Sequence, residues 1–219
     1  MSGTTTLRHG KVELALHELR AGTGRPLLLL HGLGERSPEK VPADVEAWDG
    51  PVYALDFTGH GASTITIGGG YTPEILMADV DAAVLHLGSA TLLGRGLGGY
   101  VALLATGSHP NEVHGTIITD GPGMHGAGPS PGSAVIVQVQ PDASGPPDPF
   151  ALAELSHDVR PPDYATSFVR QATHLSPLPE PICVCGTSRP PWLEAVVDEM
   201  GVRETTVAAA LAMYGAADA

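Results

Sequence analysis

The stretch Ala90–Ala102, ATLLGRGLGGYVA, runs from an apolar segment through dense glycine into a second apolar segment. Two chemistries use such a strand–turn–helix junction. Gly94, Gly96 and Gly99 spell G-x-G-x-x-G, the spacing that lays a dinucleotide's pyrophosphate on a helix N-terminus. On that reading Asp120, ending the next strand, stands where a ribose-binding acid belongs. With serine in place of Gly96 the same stretch would be G-x-S-x-G, a strained turn that aims a nucleophilic oxygen into a pocket. As it stands, the turn carries no nucleophile.

Either chemistry needs strands that end at one edge of a sheet. VELALHEL at 12–19 alternates apolar and polar residues, as a half-exposed strand does. RPLLLLHG, PVYALDF, ATLLG, HGTIITD and PICVCG are short continuous apolar runs, as buried strands are. Helical stretches are expected at Ser37–Trp48, Thr72–Leu87 and Leu97–Ala105, then near Phe150–Leu155 and Asp163–Thr173. PPWLEAVVDEM and AAALAMYG add two more, with VRETTV as a last strand between them. Strands alternating with helices predict an α/β fold: a mostly parallel sheet of about seven or eight strands, covered on both faces. The Gly- and Pro-rich segment after Asp120, with a strand-like island at Ala134–Val139, reads as an excursion over the sheet. The expected organisation is one domain over 1–219, with a short irregular lid at 122–178.

Composition narrows the partners. A net charge of −13 disfavours nucleic acid and anionic membrane, which reward clustered Lys and Arg. No apolar stretch approaches a membrane span, and the N-terminus lacks the apolar region of a signal peptide, so a cytoplasmic location is expected. Cys183 and Cys185 lie two apart on one strand, poorly placed for a disulfide and without further ligands at metal-site spacing. Core packing is their expected role, and neither a metal nor a cofactor is expected.

Three separated motifs carry a resemblance. LLLLHGLGE, LDFTGHGAS and LLGRGLGGYVALL fall in that order, each at a strand's C-terminal end. They resemble, respectively, the oxyanion-loop HG motif, the D-x-x-G-x-G-x-S turn (Asp56, Gly59, Gly61, Ser63) and the nucleophile elbow of the α/β-hydrolase fold. The resemblance implies that Gly96 stands in the nucleophile's place. It implies an oxyanion pocket around Gly32, Leu33, Gly96 and Leu97, with the Leu33 and Leu97 amides as donors. The acid is then expected within a few residues of Gly186, where GTSRPPW offers Arg189. The histidine is expected after the last strand, yet the last His is His174. The triad is therefore expected to be degenerate. Asp120 is the best surviving carboxylate, and His31 or His125 its candidate partners for proton transfer. His31 and His60, inside the motifs, also suit structural roles.

Arg95 beside the elbow and Arg189 at the acid position, with His125 in the following loop, form a candidate ligand-binding group, and Arg160 could reach it from the lid. Such cations would favour an anion. The expected function is thus a non-catalytic or non-standard member of the superfamily that binds a small molecule, an anion among the candidates, in the former active-site pocket. Two alternatives remain open: a hydrolase- or lyase-type enzyme using Asp120 with His31 or His125, and dinucleotide binding through Gly94, Gly96 and Gly99.

Overall fold

The computed structural model describes residues 3–123, 145–157 and 160–216. The strands are β1 (Thr4–His9), β2 (Val12–Arg20), β3 (Leu27–Leu30), β4 (Val52–Leu55), β5 (Ala90–Arg95), β6 (Val113–Thr119), β7 (Ile182–Val184) and β8 (Val202–Glu204). The helices are α1 (Pro73–Leu87), α2 (Leu97–Ser108), α3 (Pro149–His157), α4 (Pro162–Leu175), α5 (Pro191–Val197) and α6 (Val207–Ala216). The strands form one sheet in the order β1-β2-β4-β3-β5-β6-β7-β8. Pairings from β4 to β8 are parallel, while β1–β2 and β2–β4 are antiparallel.

The leucine run of β3 shows why the sheet is covered on both sides. Side chains alternate along a strand, so Leu28 and Leu30 enter one core while Leu27 and Leu29 enter the other. The larger core holds side chains of α1, α2, α4 and α5; the smaller holds Trp48, Cys183 and the α6 residues Leu211 and Tyr214. Cys183 and Cys185 are free thiols in that smaller layer, and burial pushes the Cys185 thiol up to about 12.

The structure adds to the sequence reading and revises it in one place, the segment 37–48. Thr4–His9 forms an edge strand that the polar TTT run did not announce; its register against β2 pairs Thr4 with His17. The expected helix over Ser37–Trp48 is only a single 3-10 turn, Ala43–Val45. Pro38 and Pro42 remove helix donors and turn the residues before them away from helical geometry, and the Ser37 amide bonds Asp56 instead of capping a helix. Within the expected lid region, α4 buries Ala165, Val169 and Ala172 and packs on α2 and α5, so it belongs to the helical layer. The strand-like island at 134–139 lies outside the described residues.

The glycines of this stretch have internal work. A Cβ on Gly94 would lie 2.3 Å from the Gly98 carbonyl oxygen, and one on Gly98 would lie 2.4 Å from the Leu30 carbonyl oxygen. Helix α2 therefore crosses β5 and β3 with backbone against backbone. Gly98→Ala should force the helix off the sheet and cost about 1–3 kcal/mol. A lowered urea midpoint with an unchanged slope would report it; an unchanged midpoint would contradict the close approach.

Candidate functional site

Strand β5 ends at Arg95 and α2 begins at Leu97, so Gly96 alone makes the turn, with φ 50° and ψ −112°. That conformation lies where an L side chain is strained by about 1–3 kcal/mol and glycine is not. Two backbone N–H groups converge beside it. The Leu97 amide donates to the Pro122 carbonyl at 3.0 Å, and the Leu33 amide donates to the same oxygen at 2.9 Å. These are the two donors expected to form an oxyanion hole, and they do meet on one oxygen. That oxygen belongs to the chain itself.

The loop that delivers it leaves β6 through Asp120-Gly121-Pro122-Gly123 and crosses the elbow. The fit leaves no room for side chains. A Cβ on Gly96 would lie 2.3 Å from the Pro122 oxygen, and one on Gly32 would lie 2.6 Å from the Pro122 ring. The recess left beside Gly96, lined by Thr119, Asp120, Ser188 and Trp192 among others, is about 20 Å³. That is the space of roughly one water.

Each candidate side chain among the described residues has local partners. His31 is buried; its Nδ1 bonds the Gly32 carbonyl at 2.8 Å, and its Nε2 accepts from the Phe57 amide at 3.1 Å. An acceptor at Nε2 makes His31 the neutral Nδ1–H tautomer. Burial, reinforced by nearby His60, pushes its pKa down to about 4. His60 is built alike: Nδ1 bonds the Thr58 carbonyl and Nε2 accepts from the Gly34 amide, and burial lowers its pKa too. Two neutral imidazoles thus tie the loop carrying Leu33 to the turn after β4. In that turn Ser63 donates to the Asp56 carbonyl and accepts from the Ala15 amide.

Asp120 is exposed and accepts from the Thr187 amide and hydroxyl and the Ser188 amide, at 2.8 Å for the shortest of each. Burial raises its carboxyl, but those bonds and the Arg189 charge outweigh it and hold the group below the usual range. Asp120 therefore caps the loop after β7. It does not hydrogen-bond His31, whose ring nitrogens both face backbone. His125 lies outside the described residues.

The arginines also have acids. Arg95 forks onto Glu35, with Nη2 to Oε1 at 3.0 Å and Nε to Oε2 at 3.2 Å, and Oε2 also accepts from the Gly32 amide. Arg189 bonds Glu204 at 2.7 Å and the Gly186 carbonyl, and Arg160 bonds Glu74 at 2.8 Å. The structure does not gather Arg95, Arg160 and Arg189 on one point: their carboxylate partners lie on three different segments. Sequence reasoning missed Glu35, which sits in the quoted LLLLHGLGE, and the Pro122 carbonyl, since a backbone acceptor has no side-chain signature.

The strand order, the turn at Gly96 and the converging amides describe one known architecture. The model of the alpha/beta hydrolase family matches residues 27–218. The chain belongs to the alpha/beta hydrolase family. No curated protein matches it. Among solved structures it is similar to the thioesterase domain from the curacin biosynthetic pathway, at 15% identity and a TM-score of 0.68, over 99% of this chain and 98% of that one. It is also similar to a hypothetical protein from Pseudomonas aeruginosa PAO1, at 18% identity and a TM-score of 0.61, over 98% of each chain. A bacterial membrane phospholipase A follows at 19% identity and a TM-score of 0.51, over 94% of this chain and 77% of that one. At these identities the likeness is one of fold. Among the described residues, no helix is long and apolar enough to cross a membrane and no cluster of ligating side chains could hold a metal ion.

The His31 geometry has a pH signature. The unfolded chain takes up this proton near pH 6.5 and the folded chain only near 4, so the group costs stability as pH falls through that window. Buried Asp79, raised to about 6 by burial, works in the opposite sense between about 6 and 3.8. The ring itself is the cleaner readout. Nitrogen NMR at pH 5.5 should show His31 neutral and Nδ1-protonated, whereas a charged ring would contradict the assigned bonds.

Proposed function

We propose that this protein is a member of the alpha/beta hydrolase family with a degenerate triad, and that its former active-site pocket at Gly96 binds a small molecule without hydrolysing it. One observation carries the reading: the Pro122 carbonyl fills the position between the Leu33 and Leu97 amides, and Gly96 offers no oxygen beneath it. Removal of a whole triad leaves roughly 10³–10⁴-fold acceleration from an oxyanion hole and substrate binding. Efficient enzymes need about 10⁶ or more. Here even the hole must first be vacated.

A ligand at the elbow has to exchange with Pro122. The two amides take an acceptor oxygen, so a carbonyl- or carboxylate-bearing molecule is the class that competes. With Arg95 on Glu35 and Arg189 on Glu204, a carboxylate gains little over a neutral carbonyl. The anion preference expected from the arginines is therefore weak, and an Asp120–His31 enzyme has no geometric support.

Gly96→Ser tests the reading. The new Cβ meets the Pro122 oxygen, so the variant should lose about 1–3 kcal/mol of stability, and it should hydrolyse p-nitrophenyl esters no faster than the parent chain. A stable variant that gains turnover through the introduced hydroxyl would overturn it.

A further inference from the structure

A hydroxyl, an imidazole and a carboxylate are linked in series outside the elbow. Thr4 on β1 and His17 on β2 are directly opposed in the antiparallel register, and Thr4 Oγ1 lies 3.0 Å from His17 Nδ1. His17 Nε2 lies 2.9 Å from Asp56 Oδ2, just past the end of β4. Asp56 is buried and fixed by amides: Ser37 donates to Oδ1 and Ala62 to Oδ2, each at 2.8 Å. Burial raises its carboxyl, but the Ala62, His17 and Ser37 bonds outweigh that and keep it ionised.

An ionised Asp56 can only accept, so Nε2 donates to it, and with a single proton on the ring Nδ1 is the base. The group facing that base is the hydroxyl of Thr4, which is exposed. All three residues line a cavity of about 640 Å³, the size of a small-molecule site. Leu19, Pro38 and Pro147 supply apolar wall, and the wall's carboxylates are engaged, Glu39 with Arg36, Glu35 with Arg95 and Asp56 with His17.

We propose that Thr4, His17 and Asp56 form a second, reactive site: an acyl-accepting hydroxyl with its general base and orienting acid, open to small neutral esters. Thr4 Oγ1 bonds to the ester's carbonyl carbon while its proton passes to His17 Nδ1, and the carbonyl electron pair moves onto oxygen. Collapse of that intermediate breaks the bond to the alcohol oxygen. The departing alkoxide takes the proton from His17, leaving an acyl-threonine ester. Water then loses a proton to the same nitrogen as its oxygen bonds to the acyl carbon; collapse breaks the bond to Thr4 Oγ1, which takes the proton back from His17, and the carboxylic acid leaves. Asp56 steadies the transient imidazolium, as the buried acid does in a serine triad. None of these three residues belongs to the elbow, although Glu35 of the cavity wall also holds Arg95, so acylation read at Thr4 is decided independently of the reading of Gly96.

The test is acylation of the full chain with p-nitrophenyl acetate, followed by peptide mapping. The expected result is an acetyl group on Thr4, kept in Thr4→Ser and lost in Thr4→Ala, whose change on an exposed edge strand spares the fold. His17→Gln should slow acetylation at residue 4 by about 10²-fold or more. A parent chain labelled only at its amines, or a Thr4 acetylated equally fast in His17→Gln, would overturn the proposal.

Discussion

The Pro122 carbonyl, shared between the amides of Leu33 and Leu97, is the contact on which the centre of this molecule depends. Three segments meet there: the loop after β3, the first turn of α2 and the loop after β6. An acceptor at the start of α2 is favoured twice, by the unpaired amide and by the positive end of the helix dipole. In a catalytic relative the same field would await a developing oxyanion. Here the Pro122 carbonyl meets it, and the two donors are used as a joint.

The surroundings are arranged to hold that joint. The loop bearing Leu33 is pinned from below by His31 and His60, each neutral with both nitrogens bonded. Glu35 secures its flank by accepting from the Gly32 amide and from Arg95. Asp120, immediately before the crossing loop, grips the segment after β7. Charges that sequence reading placed around a ligand are thus engaged with one another, and the polar groups next to the elbow serve the backbone.

Much of this was legible in the chain. The apolar runs RPLLLLHG, PVYALDF and ATLLG became β3, β4 and β5, because a strand buried on both faces leaves an unbroken hydrophobic signature. Thr72 and Pro73 marked the start of α1 correctly: Thr72 accepts from the Ile75 amide. The turn at Gly96 and its two donors followed from motif order. Other features left no pattern to read. The segment around Pro38 and Pro42 had helical spacing of apolar residues but lacked the donors a helix requires. Edge strand β1 is set by pairing with β2 rather than by its own composition. The filled oxyanion position is a backbone contact between residues far apart in sequence, with only the run Gly121-Pro122-Gly123 to hint at a tight crossing.

The occupied oxyanion position is most directly tested by through-hydrogen-bond scalar couplings, measured by NMR on chain labelled with ¹⁵N and ¹³C. Couplings from the amide nitrogens of both Leu33 and Leu97 to the carbonyl carbon of Pro122, together with slow exchange of both amide protons, are the predicted result. Absence of both couplings, with the two amides exchanging as fast as open loop groups, would mean that the hole stands free and would contradict it.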